Sequence, residues 1–214
     1  MIRALAASLA ILLAAPSFAV AATERLLILG DSLTEGYGVA REEAYPAKLG
    51  ELLKSEGYGD VEVRSAGVSG ATSASGLSRL KWALKSTEKP TALLLELGAN
   101  DGLRGRKVEE TRKDLLSIVE LAKSKGLKVM LAGMQLPTNY TAEYRESFAR
   151  MYSELAKSTG ARLLPFLLEG VGGDPRLNLA DGIHPNPEGH ARVARMLLPH
   201  VVKFLKLAKK APPK

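Results

Sequence analysis

The sequence lacks cysteine and is poor in aromatic residues. The absence of cysteine in its 214 residues excludes disulfide bonds and thiolate metal sites. Phe, Trp and Tyr make up 5% of the chain and are not interleaved with the basic residues. This argues against a nucleic-acid partner, although the formal net charge is +7. Only three histidines are present, so few side chains could act as a general base near neutral pH.

Charged residues are missing from the start of the chain between Arg3 and Glu24. Arg3 precedes an apolar run over residues 4–15, and residues 19–21, Ala-Val-Ala, have the A-x-A form of a cleavage site. We expect residues 1–21 to be a signal peptide that is cleaved on export. An uncleaved membrane anchor is the alternative. Cleavage predicts a mature protein that is periplasmic or secreted.

The remaining chain has the composition of one globular domain. Hydrophobic residues make up 46% of the sequence and charged residues 25%. We expect a single domain over residues 22–208, followed by a basic, proline-containing tail at residues 209–214. A solvated helix end explains such a tail, and weak contact with an anionic membrane surface is the alternative.

Short apolar runs alternate with longer amphipathic stretches. The runs, which have the length of buried strands, are residues 26–29, 61–65, 92–97, 128–132 and 162–165. Apolar residues at helical spacing predict helices over residues 45–56, 73–86, 108–125, 141–158 and 188–208. Strands that alternate with helices predict an α/β fold with a parallel sheet covered by helices on both faces.

Ser32 follows the first predicted strand, in the sequence Gly30-Asp31-Ser32. Ligands of open α/β sheets bind outside the carboxyl ends of the strands, so Ser32 lies where a nucleophile could act. A turn in which Asp and Ser cap the next helix is the alternative, because both residue types favour that position.

His184 is the histidine best placed to act as a base. His190 and His200 fall within the last predicted helix, whereas His184 lies in a loop three residues after Asp181. This spacing lets the Asp181 carboxylate reach Nδ1 of His184, which leaves Nε2 to take a serine proton. A capped turn with an exposed His184 fits the same residues equally well.

Loops after the second and third predicted strands contain Gly70 and Asn100. In a parallel sheet both residues lie at the same edge as Ser32. The oxyanion of a tetrahedral intermediate needs hydrogen-bond donors, and the N–H groups of Ser32 and Gly70 and the Asn100 amide could supply them. Ordinary turn roles for Gly70 and Asn100 are the alternative.

Taken in order, these motifs resemble the GDSL (SGNH) hydrolase family. The residues that match are Gly30-Asp31-Ser32-Leu33, Gly70, Gly98-Ala99-Asn100-Asp101 and Asp181-Gly182-Ile183-His184-Pro185-Asn186. The resemblance implies a three-layer, flavodoxin-like α/β/α sandwich with five parallel strands in the order 2-1-3-4-5. It also implies a catalytic triad of Ser32, Asp181 and His184, with an oxyanion hole formed by Ser32, Gly70 and Asn100.

Within that family the chain is similar to the bacterial thioesterase I, lysophospholipase and arylesterase type. The resemblance implies hydrolysis of acyl esters, acyl thioesters and lysophospholipids through an acyl-enzyme, without a cofactor or a metal. We expect a small-molecule acyl or lipid substrate, at most weak membrane contact, no nucleic acid and a monomer. Residues 102–107 and 135–141 are expected to line the acyl groove.

Three other functions fit parts of the same pattern. A carbohydrate deacetylase of the same family would use the same triad. An exported lipid-binding module would use the same donors without turnover. An α/β-hydrolase is disfavoured, because no G-x-S-x-G motif surrounds Ser32 and because Asp181 and His184 are close in sequence.

Overall fold

Five parallel strands form one sheet in a computed structural model that describes residues 23–209. The strands are β1 (Glu24–Gly30), β2 (Val61–Gly67), β3 (Ala92–Glu96), β4 (Lys128–Ala132) and β5 (Arg162–Leu164). Their order across the sheet is β2-β1-β3-β4-β5, which confirms the flavodoxin-like order. The expected signal peptide at residues 1–21 lies outside the described range, as do residues 210–214 of the expected tail.

Helices cover both faces of the sheet. They are α1 (Ser32–Glu35), α2 (Tyr45–Ser55), α3 (Ser73–Ala83), α4 (Ala99–Leu103), α5 (Val108–Ser124), α6 (Ala142–Thr159) and α7 (Pro187–Leu205). Helix α2 packs against α7, while α5 packs against both α3 and α6. Across residues 23–209, every helix is too short or too polar to span a membrane. The three-layer α/β/α arrangement is the predicted one.

The centre of the sheet is the most deeply buried part of the fold. All five residues of β3 are buried, as are the last five of β1. Strands covered by helices on both faces read as continuous apolar runs, which is why these segments could be recognised in the sequence. Strand β2 forms one edge of the sheet and is only partly buried, so its apolar and polar residues alternate.

The sheet register places the functional loops side by side. Gly30 at the end of β1 pairs with Gly67 at the end of β2 on one side, and with Glu96 at the end of β3 on the other. The segments that follow these three residues therefore begin at the same edge. They contain Ser32, Gly70 and Asn100.

Candidate active site

Ser32 is the first residue of α1 and is almost fully buried. Asp31 caps this short helix, because its Oδ1 accepts a hydrogen bond from the Leu33 N–H at 3.0 Å. The backbone just before Asp31 and Ser32 requires glycine at position 30. A Cβ atom on Gly30 would lie 2.0 Å from Thr34 Oγ1 and 2.2 Å from Glu96 Oε2, closer than a side chain permits.

The structure brings Ser32, His184 and Asp181 into one hydrogen-bonded chain. Ser32 Oγ lies 2.9 Å from Nε2 of His184, and Nδ1 of His184 lies 2.7 Å from Oδ2 of Asp181. The other carboxylate oxygen of Asp181 accepts the backbone N–H groups of Ile183 and His184, each at 3.0 Å. Gly182 has a φ of +73°, which lets the loop turn back within three residues.

Asp181 is suited to remain ionised in this arrangement. Burial alone would raise the pKa of Asp181. Hydrogen bonds from the His184 ring and from the backbone N–H groups of His184 and Ile183 outweigh this effect and lower the pKa. An ionised carboxylate at Nδ1 fixes the imidazole tautomer that leaves Nε2 free to accept a proton.

Asn100 lies next to Ser32, and its amide is already partly engaged. Its Nδ2 donates a hydrogen bond to Oδ2 of Asp31 at 3.2 Å, and Asn100 and Ser32 line the same cleft. A side-chain amide nitrogen carries two N–H bonds, so the second one remains for a ligand. Asp31, which also lines this cleft, therefore holds the Asn100 amide in place.

Gly70 lies in the loop between β2 and α3, outside the lining of the cleft at Ser32. It has a φ of +74°, and its carbonyl accepts a hydrogen bond from Nη2 of Arg104 at 3.1 Å. Within residues 23–209, neither the Gly70 N–H nor the Ser32 N–H donates to a protein acceptor. Both donors are therefore available, with Ser32 at the site and Gly70 in the neighbouring loop.

A second set of contacts fixes that neighbouring loop. Asp101, buried in α4, accepts hydrogen bonds from the Ser73 backbone N–H at 2.8 Å and from Nη1 of Arg106 at 2.8 Å. The same guanidinium nitrogen contacts Asp114 Oδ2 at 2.6 Å. These contacts join the start of α3 to α4 and α5, which limits the movement of the Gly70 loop relative to Asn100.

A pair of buried carboxyl groups lies beneath Ser32, and the sequence analysis did not identify it. The Asp31 N–H donates to Glu96 Oε2 at 3.0 Å, and Thr34 Oγ1 donates to the same oxygen at 2.6 Å. Thr34 Oγ1 also lies 2.7 Å from the Tyr45 hydroxyl. The only signal in the sequence is a single glutamate at the end of an otherwise apolar strand.

The two carboxyl groups, Asp31 and Glu96, favour a state in which only one of them is ionised. Complete burial, and then the nearby charge of Asp31, raise the pKa of Glu96 well above its ordinary value. Burial also raises the pKa of Asp31, although hydrogen bonds from Leu33, Glu96 and Asn100 act in the opposite direction. Two like charges in an apolar site are unfavourable, so Glu96 is the group that keeps the proton.

A cleft of about 420 Å³ opens beside Ser32, Asn100 and His184. Most of its wall is apolar, formed by Leu33, Ala99, Leu103, Met134, Leu136, Pro137, Phe166, Leu168 and Ile183. Residues 135–138 line it, whereas residues 139–141 do not, and Leu103 is its one lining residue from the 102–107 segment. The expected groove loops are therefore only partly involved, and Arg106 contacts Asp101 instead of lining the cleft.

Tyr37 is a further neighbour of His184 that the sequence analysis missed. The two ring centroids lie 4.6 Å apart with their planes tilted by 39°, and Tyr37 is half exposed. The ring covers one side of the imidazole and reduces the space in which His184 can rotate. His190, by contrast, is a packing residue, since its Nδ1 accepts the Tyr45 backbone N–H at 3.2 Å.

Known proteins are similar to this chain in sequence and in fold. The model of the GDSL-like lipase/acylhydrolase family matches residues 28–192. Esterase TesA from Pseudomonas aeruginosa is 42% identical over 185 residues, which is 86% of this chain and 91% of that protein. Thioesterase 1/protease 1/lysophospholipase L1 from Escherichia coli K12 is 40% identical over 178 residues, 83% of either chain.

A solved structure of an esterase is also similar to this chain. The crystal structure of the psychrotrophic esterase EstA from Pseudoalteromonas sp., inhibited by monoethylphosphonate, superposes with a TM-score of 0.81 at 31% identity. The match covers 86% of this chain and 99% of the other. Both the motifs and the strand order thus lead to one conclusion: the chain belongs to the GDSL-like lipase/acylhydrolase family and is an SGNH-type hydrolase.

Proposed function

We propose that this protein is a serine esterase and thioesterase that hydrolyses acyl esters, acyl thioesters and lysophospholipids. The observation that carries the proposal is the continuous chain from Ser32 Oγ through His184 to Asp181, with contacts of 2.9 and 2.7 Å. A hydroxyl, an imidazole and a carboxylate in this order are the groups that activate a serine nucleophile. Relatives named as an esterase and a thioesterase support the substrate class.

The reaction begins when Ser32 attacks the carbonyl carbon of the substrate. His184 Nε2 takes the Ser32 proton during the attack, and the Asp181 carboxylate stabilises the imidazolium that forms. His184 then gives the proton to the leaving alcohol or thiol, and an acyl group remains on Ser32. Water, deprotonated by the same imidazole, releases the acid and restores the enzyme. The nucleophile is thus Ser32 in the first half of the reaction and water in the second, and His184 moves the proton in both.

The oxyanion of each tetrahedral intermediate needs donors that are already in place. We assign three donors to the oxyanion. They are the free N–H of the Asn100 amide and the Ser32 backbone N–H, both at the cleft, and the Gly70 N–H. Asp31 holds the Asn100 amide through its 3.2 Å hydrogen bond. A donor held before the substrate binds needs no reorganisation when charge develops, and such donors give the largest rate effects.

The cleft wall supports an acyl chain as the group that is recognised. Its apolar residues favour a hydrocarbon chain, whereas a carbohydrate deacetylase would need polar side chains to bind sugar hydroxyls. A binding module without turnover would not need His184 Nε2 directed at a serine hydroxyl. We further propose that the protein is exported, monomeric, and active in the periplasm or outside the cell, in keeping with residues 1–21.

Labelling with a fluorophosphonate tests the proposed nucleophile, because only an activated serine reacts readily. We expect peptide mapping to find the label on Ser32, and Ser32→Ala to lose both the label and hydrolysis. Ser117→Ala is the matched control, since Ser117 lies on α5 outside the lining of the cleft and donates only to the Lys113 carbonyl. Label on another serine of active protein would contradict the proposal.

Relative rates test the substrate class. Purified protein is assayed on an acetyl ester, a long-chain acyl ester, an acyl-CoA thioester and a lysophospholipid. We expect the long-chain ester and the thioester to be hydrolysed faster than the acetyl ester, because the 420 Å³ cleft beside Ser32 has a mainly apolar wall. Fast cleavage of acetyl esters alone would favour the deacetylase.

A further inference from the structure

A second cleft, of about 860 Å³, lies between β2 and α3 and shares no lining residue with the cleft at Ser32. It exists because β2 is an edge strand and is only partly buried. We refer to it as the β2–α3 cleft. Its lining residues are Leu27, Leu29, Arg64, Ser65, Ala66, Gly67, Val68, Ser78, Arg79, Trp82, Ala83, Lys85 and Ser86.

The floor of the β2–α3 cleft is apolar and is bordered by exposed hydrophobic side chains. Leu27 and Leu29 form part of it, next to Ala66. Trp82 is 78% exposed and Val68 is 50% exposed at its edge. An exposed indole next to an apolar groove with a polar rim is typical of a binding site, because leaving so much apolar surface in water is unfavourable.

Three cations line the same cleft. They are Arg64, Arg79 and Lys85, and none of the described residues that line the cleft carries a carboxylate. Within residues 23–209, none of the three forms an ion pair. Arg79 lies near the carboxyl groups of Glu96, Asp31 and Glu35. Arg64 and Lys85 are therefore the two side chains that make this cleft attractive to an anion.

The hydrogen bonds of the two arginines leave donors unused. Arg79 donates from Nη2 to the carbonyls of Gly30 and Ala66, while its Nη1 is buried and has no acceptor in the described part of the chain. Arg64 donates only to neutral acceptors, the Ser86 hydroxyl at 3.3 Å and the Glu88 carbonyl at 3.2 Å. A guanidinium carries five N–H donors and Arg64 uses two of them, so Arg64 keeps donors for an anion that enters the cleft.

We propose that the β2–α3 cleft binds an anionic amphiphile, a single alkyl or acyl chain with a carboxylate or phosphate head group. The chain lies on the apolar floor against the Trp82 indole, and the head group accepts hydrogen bonds from Arg64 and Lys85. Charge-assisted hydrogen bonds to a carboxylate or a phosphate are the strong contacts of such a site. The proposal does not depend on catalysis at Ser32, since the two clefts are separate.

Trp82 reports directly on this site, because it is the only tryptophan in the sequence. We measure its fluorescence while four amphiphiles with the same alkyl chain are added below their critical micelle concentrations: dodecanoate, dodecyl phosphate, dodecyltrimethylammonium and dodecyl maltoside. We expect a saturable blue shift of the emission with the two anions, at concentrations roughly ten-fold lower than for the other two. The carboxylate and the phosphate separate a fatty acid from a phospholipid as the source of the head group.

Matched variants connect the shift to the cations. Arg64→Gln combined with Lys85→Gln is expected to weaken anion binding about ten-fold. Lys157→Gln, at an exposed position on α6, is the control and should bind as the unmodified protein does. Ser32→Ala should also leave the shift unchanged, which separates it from occupancy of the other cleft. If the double variant does not fold, Val68→Glu places a negative charge at the same rim and should have the same effect.

Four results would overturn the proposal. They are no shift with either anion, an equal shift with all four amphiphiles, unchanged anion affinity in the folded double variant, and, in a parallel titration with vesicles of an anionic phospholipid, a shift that neither soluble anion produces. The second result would show apolar adsorption alone. The fourth would show that the charges attract a membrane surface rather than a single molecule.

Discussion

Replacement of Asn100 by alanine separates catalysis from simple binding at the proposed active site. If the free N–H of its amide donates to the oxyanion, the bond strengthens as the carbonyl oxygen gains charge. Its loss should lower kcat by about 10²–10³, or about 2.7–4 kcal/mol of transition-state stabilisation. KM should change little, because the contact is weaker in the ground state. Some activity should survive, since the backbone donors of Ser32 and Gly70 remain.

The structure adds a second effect to the same substitution. Asn100 Nδ2 donates to Oδ2 of Asp31, so Asn100→Ala removes a hydrogen bond from a buried carboxylate. The free energy of unfolding should fall by about 1–3 kcal/mol. At this chain length, each 1 kcal/mol lowers Tm by about 2–4 °C. A lower Tm is therefore expected whether or not Asn100 contacts the oxyanion, and only kcat distinguishes the two roles.

The assay measures kcat and KM well below the Tm of the variant, with Tm recorded on the same preparation. Asn139→Ala, in the segment between β4 and α6, is the matched control, and we expect it to change neither quantity appreciably. A kcat within about three-fold of the unmodified enzyme, in protein shown to be folded, would refute the oxyanion role. Asn100 would then only support Asp31.

Three further predictions concern the carboxyl groups and the chain start. Glu96→Gln should change the free energy of unfolding by less than about 1 kcal/mol in urea titrations below about pH 4.3, where Glu96 is neutral in both the folded and unfolded states, whereas Glu96→Ala should cost about 2–5 kcal/mol by leaving a cavity and unpaired donors. Because the folded pKa of Glu96 is raised, its protonated form stabilises the fold, and this contribution declines as pH rises above about 4.3. Glu96→Gln should remove that decline; an identical pH dependence would contradict a neutral Glu96. The pKa of Asp181 is lowered instead, so its contribution is present above about pH 3.9 and is lost as pH falls through the folded value. The stability difference between Asp181→Asn and the unmodified protein should therefore vanish in strong acid. Mass spectrometry of exported protein should find Ala22 as the first residue, and intact residues 1–21 would contradict the cleavage site.

Periodicity in the sequence was enough to locate the long elements. All five strands and the five long helices lie within a few residues of their predicted positions, because the helices carry an apolar face at helical spacing and the strands form short apolar runs. Helices α1 and α4 were not predicted, because four or five residues are too few to show a helical period. The end of α7 at Leu205 was placed three residues too late, since Lys206, in the left-handed conformation, ends the helix without a glycine.

The candidate site was predictable where the topology alone determines proximity. Parallel strands open on one edge, so Ser32 and Asn100 could be expected together before any distance was known. The contacts of Asp31 with Glu96 and Asn100 depend on side-chain directions across neighbouring loops, which spacing in the sequence does not encode. The same is true of Tyr37 beside His184. The prediction that residues 139–141 line the cleft was wrong, because spacing in the sequence does not show where a loop leaves the cleft wall.

The close packing at Gly30 has a consequence for how such an enzyme can diversify. Thr34 and Glu96 leave no room for a side chain at position 30, so saturation mutagenesis there should return glycine alone. Residues 135–138 form part of the cleft wall but are not members of the hydrogen-bonded chain at Ser32. New acyl specificities are therefore accessible through that wall, while the nucleophile and its supports stay constant. A directed-evolution library gains most when it is confined to those four positions.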